Sequence, residues 1–152
     1  MYWEILFDPN APDAELGLIS VDTYKGKVQW FDVPDVLRTD PHTKDISIIR
    51  RNYQDRSEFR FDFAVKNWVK QLRHDHYSYN VMLRQQGDQM IGAYKCTIQK
   101  PNADAKIFYE DISKCLLDCR EGKLEITGLW FEDGENYQMV VTAILQEPDK
   151  NE

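Results

Sequence analysis

Histidine and cysteine have the most specific chemistry in this sequence, and three of each are spread over its 152 positions. His74 and His76 stand two residues apart. On a β-strand that spacing directs both imidazoles to one face, where they could share a metal ion. No third ligand follows nearby, because the positions four and five residues further on hold Asn80 and Val81. We therefore interpret the stretch around these histidines as a polar turn and expect neither a metal site nor a cofactor.

The three cysteines, Cys96, Cys115 and Cys119, do not have the spacing of a zinc site. Four residues of a strand span about 13 Å, so Cys115 and Cys119 could share an ion only if they lay on a helix. An odd number of cysteines without an export signal is typical of free thiols in a reducing compartment. We expect small buried thiols and a cytoplasmic protein.

Common catalytic motifs are absent from the sequence. It contains no nucleophile elbow, no Walker loop and no dinucleotide-binding fingerprint. Aspartate and glutamate total 26, so no single pair of carboxylates stands out as an acid and a base. We assign no catalytic residue and keep an enzyme only as an alternative.

Charge and hydropathy exclude two classes of partner. The net charge is −7, and the arginines and lysines form no extended basic face, so we expect no nucleic-acid binding. No apolar run approaches the roughly 20 residues that span a bilayer, and the N-terminus does not resemble a signal peptide. An acidic surface of this kind suits a single soluble domain, or docking to a basic protein partner.

Alternating residues between Tyr77 and Gln99 predict a β-hairpin. In the first arm one face carries Tyr77, Tyr79, Val81 and Leu83. Gly87 lies in the turn. In the second arm one face carries Met90, Gly92, Tyr94, Cys96 and Ile98. Gly92 inside this arm indicates a bulge, a bend or a close approach of the backbone.

The same pattern returns between Cys115 and Trp130, where the turn glycine Gly122 precedes Gly128 and Trp130. A further turn and an alternating arm follow, with Tyr137 on the apolar face. The last two-thirds of the chain therefore predict an antiparallel meander. Alternation alone fits a barrel or a sandwich of two sheets.

This repeated order of turn glycine, apolar residue, second glycine and aromatic residue resembles the hairpins of calycin-type barrels, the lipocalin and avidin group. The resemblance covers roughly residues 77 to 146. It implies a cup-shaped barrel with an interior pocket. We predict a mainly β fold, an antiparallel meander closing into a barrel or highly curved sheet, with one short helix at about 64–73.

The helix is predicted from an apolar stripe of Val65, Trp68, Val69 and Leu72. Strands are predicted at residues 2–7, 45–51 and 57–65. A further hairpin is predicted to turn at Lys25-Gly26, between arms at 16–24 and 27–33.

Four aromatic residues, Tyr79, Tyr94, Trp130 and Tyr137, are the candidate ligand-binding residues because they fall in phase on neighbouring predicted strands. Buried aromatic rings most often form the core, which is the other interpretation of these four residues. We expect a non-catalytic binding protein that holds a small apolar or aromatic ligand in the barrel. The alternatives are an acidic accessory or immunity-type protein that docks to a protein partner, and an enzyme using the same cavity.

Overall fold

The computed structural model describes residues 2–7, 17–32, 42–69, 73–100, 103–132 and 135–147. Eight antiparallel strands follow one another around a closed barrel, and the first strand pairs with the last. They are β1 (Leu18–Asp32), β2 (His42–Tyr53), β3 (Ser57–Val69), β4 (Arg73–Gln86), β5 (Gln89–Gln99), β6 (Lys106–Arg120), β7 (Lys123–Glu132) and β8 (Glu135–Leu145). The predicted β class and meander are confirmed, and the sheet is a barrel.

A single short helix, α1 (Tyr2–Leu6), precedes the strands in the described part of the chain. No helix among these residues has the length and apolar character needed to cross a membrane.

The predicted hairpin from Tyr77 to Gln99 is confirmed as β4 and β5. They pair continuously from His76↔Gln99 to Gln86↔Gln89 around Gly87, whose φ is 60°. Alternate residues of each strand point into the barrel, so one buried apolar cluster lines the interior and includes side chains from all eight strands.

The two ends of the barrel differ. At one end, which we call the tight-turn end, short turns join β2 to β3, β4 to β5 and β6 to β7. The opposite end carries Trp30, Trp130 and Tyr137 near the strand termini, and we call it the aromatic end. The candidate site lies at the aromatic end.

The helix predicted at 64–73 is wrong in position. Residues 64–69 belong to β3 and Arg73 begins β4, while residues 70–72 lie outside the described part of the chain. β3 and β4 pair without interruption as far as Val69↔Arg73. A ten-residue helix is marginal by itself, so the ladder with the neighbouring strand decides the local structure.

The strand predicted at residues 2–7 is instead α1, which packs on the outer surface of the barrel. Leu6 is buried against Met82 and Ala93. The Trp3 ring stacks on Tyr109 with 5.1 Å between centroids. Met82, an apolar residue on the otherwise polar face of β4, was the sequence signal that this face is covered.

The hairpin predicted at Lys25-Gly26 is also wrong, because β1 runs straight through both residues. Gly26 lies opposite Ile46 of β2 and Ala143 of β8. A Cβ atom at this position would collide with the backbone of Thr142 and Ala143. The glycine therefore permits close packing of β1 on β8 and makes no turn.

Candidate ligand site at the aromatic end

The four predicted aromatic residues come together inside the barrel. The ring centroids of Tyr79 and Tyr94 are 5.6 Å apart, those of Tyr94 and Trp130 are 5.9 Å apart, and those of Trp130 and Tyr137 are 5.6 Å apart. Tyr79, Tyr94 and Trp130 are buried, and Tyr137 is partly buried against the same cluster. Their shared position is a property of the fold, and their role in binding remains a prediction.

Two further rings extend this row and were not assigned to the site from the sequence. Phe63 stacks on Tyr79 with 4.9 Å between centroids, and Trp30 packs on Phe63 at 5.0 Å. Phe63 had a recognisable alternating pattern in the sequence. Trp30 gave no such signal, because its position depends on β1 being one continuous strand. We call Trp30, Phe63, Tyr79, Tyr94, Trp130 and Tyr137 the aromatic row.

The repeated glycine pattern has a packing cause. Gly92 of β5 lies opposite Ile112, and a Cβ atom there would be 2.5 Å from Leu83 Cδ2 and 2.9 Å from Cys115 Sγ. At Gly128 of β7, a Cβ atom would be 2.5 Å from Ile112 Cγ2. The two glycines thus leave room on both sides of β6 for its inward side chains.

The aromatic partners follow from the same spacing. Tyr94 and Trp130 each stand two residues after one of these glycines, so they lie on the same inner face. β6 has a register shift between Ser113 and Leu116, with Lys114 at a φ of 53°. Tyr94 and Trp130 nevertheless meet in an edge-on contact with an interplanar angle of 64°. The sequence repeat therefore brings these two rings into contact.

Trp130 has a polar atom that the surrounding fold leaves unpaired. Its indole Nε1 is buried and has no hydrogen-bond acceptor among the residues that the structure describes. Burying an N–H group without a partner costs about 1–3 kcal/mol. A ligand atom able to accept this hydrogen bond would recover that cost.

The backbone ladder between β2 and β3 is incomplete beside the aromatic row, although the barrel is closed. β2 and β3 pair only from Ile49↔Arg60 to Asn52↔Ser57, next to their turn. Residues 42–48 of β2 and 61–69 of β3, both within the described strands, have no ladder between them; we call this gap the β2–β3 seam. Each strand remains paired with its other neighbour along this length.

On the outer surface two troughs follow the seam, with volumes of about 430 Å³ and about 620 Å³. Ser47 and Asp62 line both troughs, so the two troughs adjoin each other. On the inner side the contact between Trp30 and Phe63 brings together rings from β1 and β3. At the seam, therefore, the β1–β2 pair and the β3–β4 pair are in contact through side chains and not through a backbone ladder.

The histidine pair lies on a strand, where the sequence had predicted a polar turn. Residues 74–76 form part of strand β4 and no turn, and the His76 side chain is exposed. The side chains of His74 and Asp75 lie outside the described part. No group of three potential metal ligands comes together among the described residues.

Cys115 and Cys119 lie on strand β6, as predicted, and all three cysteines are free thiols. Burial raises the pKa of Cys115 to about 12. Cys96 is also buried, but Cys119 is exposed, so the prediction of three buried thiols is wrong for this residue.

Comparisons with known proteins assign no family to the chain. No protein-family model matches it, and no curated protein matches it. Among solved structures, the crystal structure of the ywiB protein from Bacillus subtilis is similar over 90% of this chain and 100% of that chain, with 9% sequence identity and a TM-score of 0.43. A similarity at this level carries no argument, so the candidate site depends on its own geometry.

Proposed function

We propose that this protein is a non-catalytic, calycin-type binding protein that holds a small apolar or aromatic ligand at the aromatic end of its barrel. The observation that supports this most directly is the buried indole N–H of Trp130, which has no acceptor among the described residues. Native proteins rarely leave a buried donor unpaired, and such an exception calls for an explanation. A ligand that carries an acceptor provides one.

The surroundings of Trp130 define the class of ligand. Tyr94 meets the indole edge-on and Tyr137 stacks on it with an interplanar angle of 20°. A flat ligand would displace or extend such stacking and bury apolar surface worth about 25 cal/mol per Å² before the costs of binding are subtracted. An apolar or aromatic molecule with one accepting oxygen or nitrogen fits these contacts best.

The test is a screen of hydrophobic dyes, fatty acids and small aromatic compounds against the folded protein, with tryptophan emission as the readout. Trp130→Phe keeps an aromatic ring and removes the N–H donor. We expect ligands with an acceptor to bind about 5- to 10-fold more weakly to this variant, the value of one hydrogen bond. Trp3→Phe is the matched control, because Trp3 packs outside the barrel on Tyr109.

Stability measurements separate a binding role from a core role. Trp130→Phe removes an unpaired buried donor but also leaves a small cavity, and because these effects are opposite in sign the ligand-free variant should be about as stable as the parent. If no compound binds below about millimolar and Trp130→Phe destabilises the fold, the aromatic row is core and the proposal fails.

Docking to a protein partner is the second candidate, and a different observation favours it. Along the β2–β3 seam the two strand edges have no ladder between them, and two adjoining troughs lie beside it. Unpaired strand edges are the usual acceptors of an added peptide strand. Partner capture that is lost in Ser47→Pro, while binding of small molecules is unchanged, would favour this candidate over the carrier.

A further inference from the structure

A second unusual group lies at the tight-turn end, on the inner face of the barrel. Arg50 of β2 donates hydrogen bonds from Nε to Asn52 Oδ1 at 2.8 Å and from Nη2 to Ser57 Oγ at 3.4 Å. Its Nη1 lies 3.9 Å from Cys119 Sγ, and its guanidinium carbon lies 5.0 Å from the centre of the Phe59 ring. These contacts hold a partly buried cation in a fixed orientation.

The partners of Arg50 in the described structure are all neutral. No carboxylate oxygen of the described residues lies within ion-pair distance of its guanidinium. Asp22 stands opposite Arg50 on β1, but it accepts a hydrogen bond from the Asn52 amide at 3.0 Å. Asn52 therefore lies between the cation and the nearest carboxylate.

Glu58, a buried charged residue elsewhere in the barrel, differs from Arg50 because it has charged partners. Glu58, buried on the outer face, receives hydrogen bonds from Arg56 at 3.2 Å and from Arg84 at 3.1 Å. A charge removed from water is normally compensated by a counter-charge in this way, because desolvation is otherwise costly. Arg50 is partly removed from water without one.

Two hydroxyl groups lie close to Arg50 and its hydrogen-bond partners. The Tyr24 hydroxyl lies 3.7 Å from Cys119 Sγ, and the Ser57 hydroxyl donates to Asn52 Oδ1 at 2.9 Å. The pKa of Tyr24 is raised, chiefly by burial and next by its hydrogen bond with Cys119, while Arg50 opposes the rise. Tyr24 therefore remains a protonated phenol at neutral pH, and its O–H group could donate to a ligand atom in place of Cys119.

We propose that Arg50, with Tyr24, forms a binding site for an oxyanion, either a carboxylate or a phosphate group of a small ligand. A guanidinium has five N–H donors in a planar fork, and three of those in Arg50 are directed at Asn52, Ser57 and Cys119. Tyr24 also forms a hydrogen bond with Arg50, so an oxyanion bound between the two side chains would replace this neutral contact and supply the missing counter-charge.

This site is separate from the proposed ligand site. Along β3 the inward residues are Ser57, Phe59, Phe61 and Phe63, of which the first contacts Arg50 and the last belongs to the aromatic row. Six residues of strand span about 20 Å. Phe59, which is fully buried, and Phe61 lie between the two sites.

The exposed thiol of Cys119 provides a direct readout. Phosphate and acetate are titrated separately at constant ionic strength, with chloride as the reference anion. The rate of Cys119 alkylation by iodoacetamide, a neutral reagent, is followed by mass spectrometry. Because Cys119 Sγ is 3.9 Å from Arg50, a bound oxyanion should slow alkylation saturably, by about 3-fold or more. The anion that protects at the lower concentration identifies the preferred group.

Arg50→Met should abolish this protection, and Arg50→Lys should weaken it about 10-fold by keeping the charge without the planar fork. Arg120→Met is the matched control. Arg120 lies at the same end and is 84% exposed, and its substitution removes the same charge. Equal protection by phosphate or acetate in Arg50→Met and Arg120→Met would overturn the proposal. An effect no greater than that of chloride in the unaltered protein would also overturn it.

Discussion

Replacing Gly92 with alanine tests whether the glycine repeat has a packing cause, because two physical effects predict changes of opposite sign. Glycine inside a strand is less stable than alanine by about 0.5–1 kcal/mol, since it loses more backbone freedom on folding. If the site were an ordinary strand position, Gly92→Ala would therefore stabilise the protein.

The structure predicts destabilisation. The added Cβ atom would lie 2.5 Å from Leu83 Cδ2 and 2.9 Å from Cys115 Sγ, both closer than van der Waals contact. Leu83 and Cys115 are both buried in the core cluster, so each would have to shift against other packed side chains to make room. Overpacking of a core costs about 1–3 kcal/mol, which exceeds the entropic gain. We expect a net loss of about 1–2 kcal/mol.

The assay is urea unfolding of the parent, Gly92→Ala, Leu83→Val and the double variant. Leu83→Val removes the atom that the new methyl group would meet, at the cost of a small cavity. The double variant should be more stable than the sum of the two single effects predicts, by about 1 kcal/mol. A stabilising Gly92→Ala, or strictly additive effects, would refute the packing explanation.

Two further predictions concern other contacts. Burial raises the pKa of Cys115 to about 12, so the folded state keeps a proton that the unfolded state releases, and its contribution to stability falls as pH rises from about 9 toward 12. Between pH 8 and 10.5 the parent should lose about 2 kcal/mol more than Cys115→Ala; equal losses in urea unfolding would contradict this. Asp111 accepts hydrogen bonds from the backbone N–H groups of Tyr2 at 3.1 Å and Trp3 at 2.9 Å, so Asp111→Ala should cost about 1 kcal/mol by urea unfolding. Glu110→Ala, an exposed neighbour, should cost little, and equal costs would show that the cap contributes nothing.

Strands were the most predictable part of this fold because alternation is a local property. Tyr77 to Leu83 and Phe59 to Val65 each bury every second residue, and the sequence shows this without knowledge of the partner strands. The same reasoning placed the four aromatic residues on one inner face. Local information was sufficient there because a shift of one residue along a strand would move its apolar side chains from the inner face to the outer face, so the alternating pattern fixes which residues point inward.

The errors arose where a local pattern had two interpretations. Val65 and Val69 match a helical stripe, but they also continue a strand whose ladder with β4 runs to Arg73. Gly26 resembles a turn residue, but the contact that requires a glycine comes from β8, more than 100 positions away. Resolving either ambiguity requires knowing which strands pair, β3 with β4 in the first case and β1 with β8 in the second.

Unpaired groups are less predictable still. Trp130 and Arg50 are unusual because of the partners that they lack, and a sequence does not show which partners a fold will supply. The β2–β3 seam is equally hard to predict, because it is defined by backbone pairs that are missing. Both strands were predicted in part, but the point at which their ladder stops depends on the register of the whole barrel.

If the proposed carrier function holds, the seam makes the aromatic end the expected place for a ligand to enter. At the tight-turn end, β2 and β3 are held by the pairs from Ile49↔Arg60 to Asn52↔Ser57, so separating them would break backbone hydrogen bonds. At the aromatic end the strands share no ladder, so opening the wall would separate side-chain contacts such as that between the Trp30 and Phe63 rings and would break no β2–β3 backbone pairs. Such a ring contact is worth about 0.5–1.5 kcal/mol beyond the area it buries, a cost that a stacked ligand could replace. Entry through the seam would therefore leave the hydrogen-bonded part of the barrel intact.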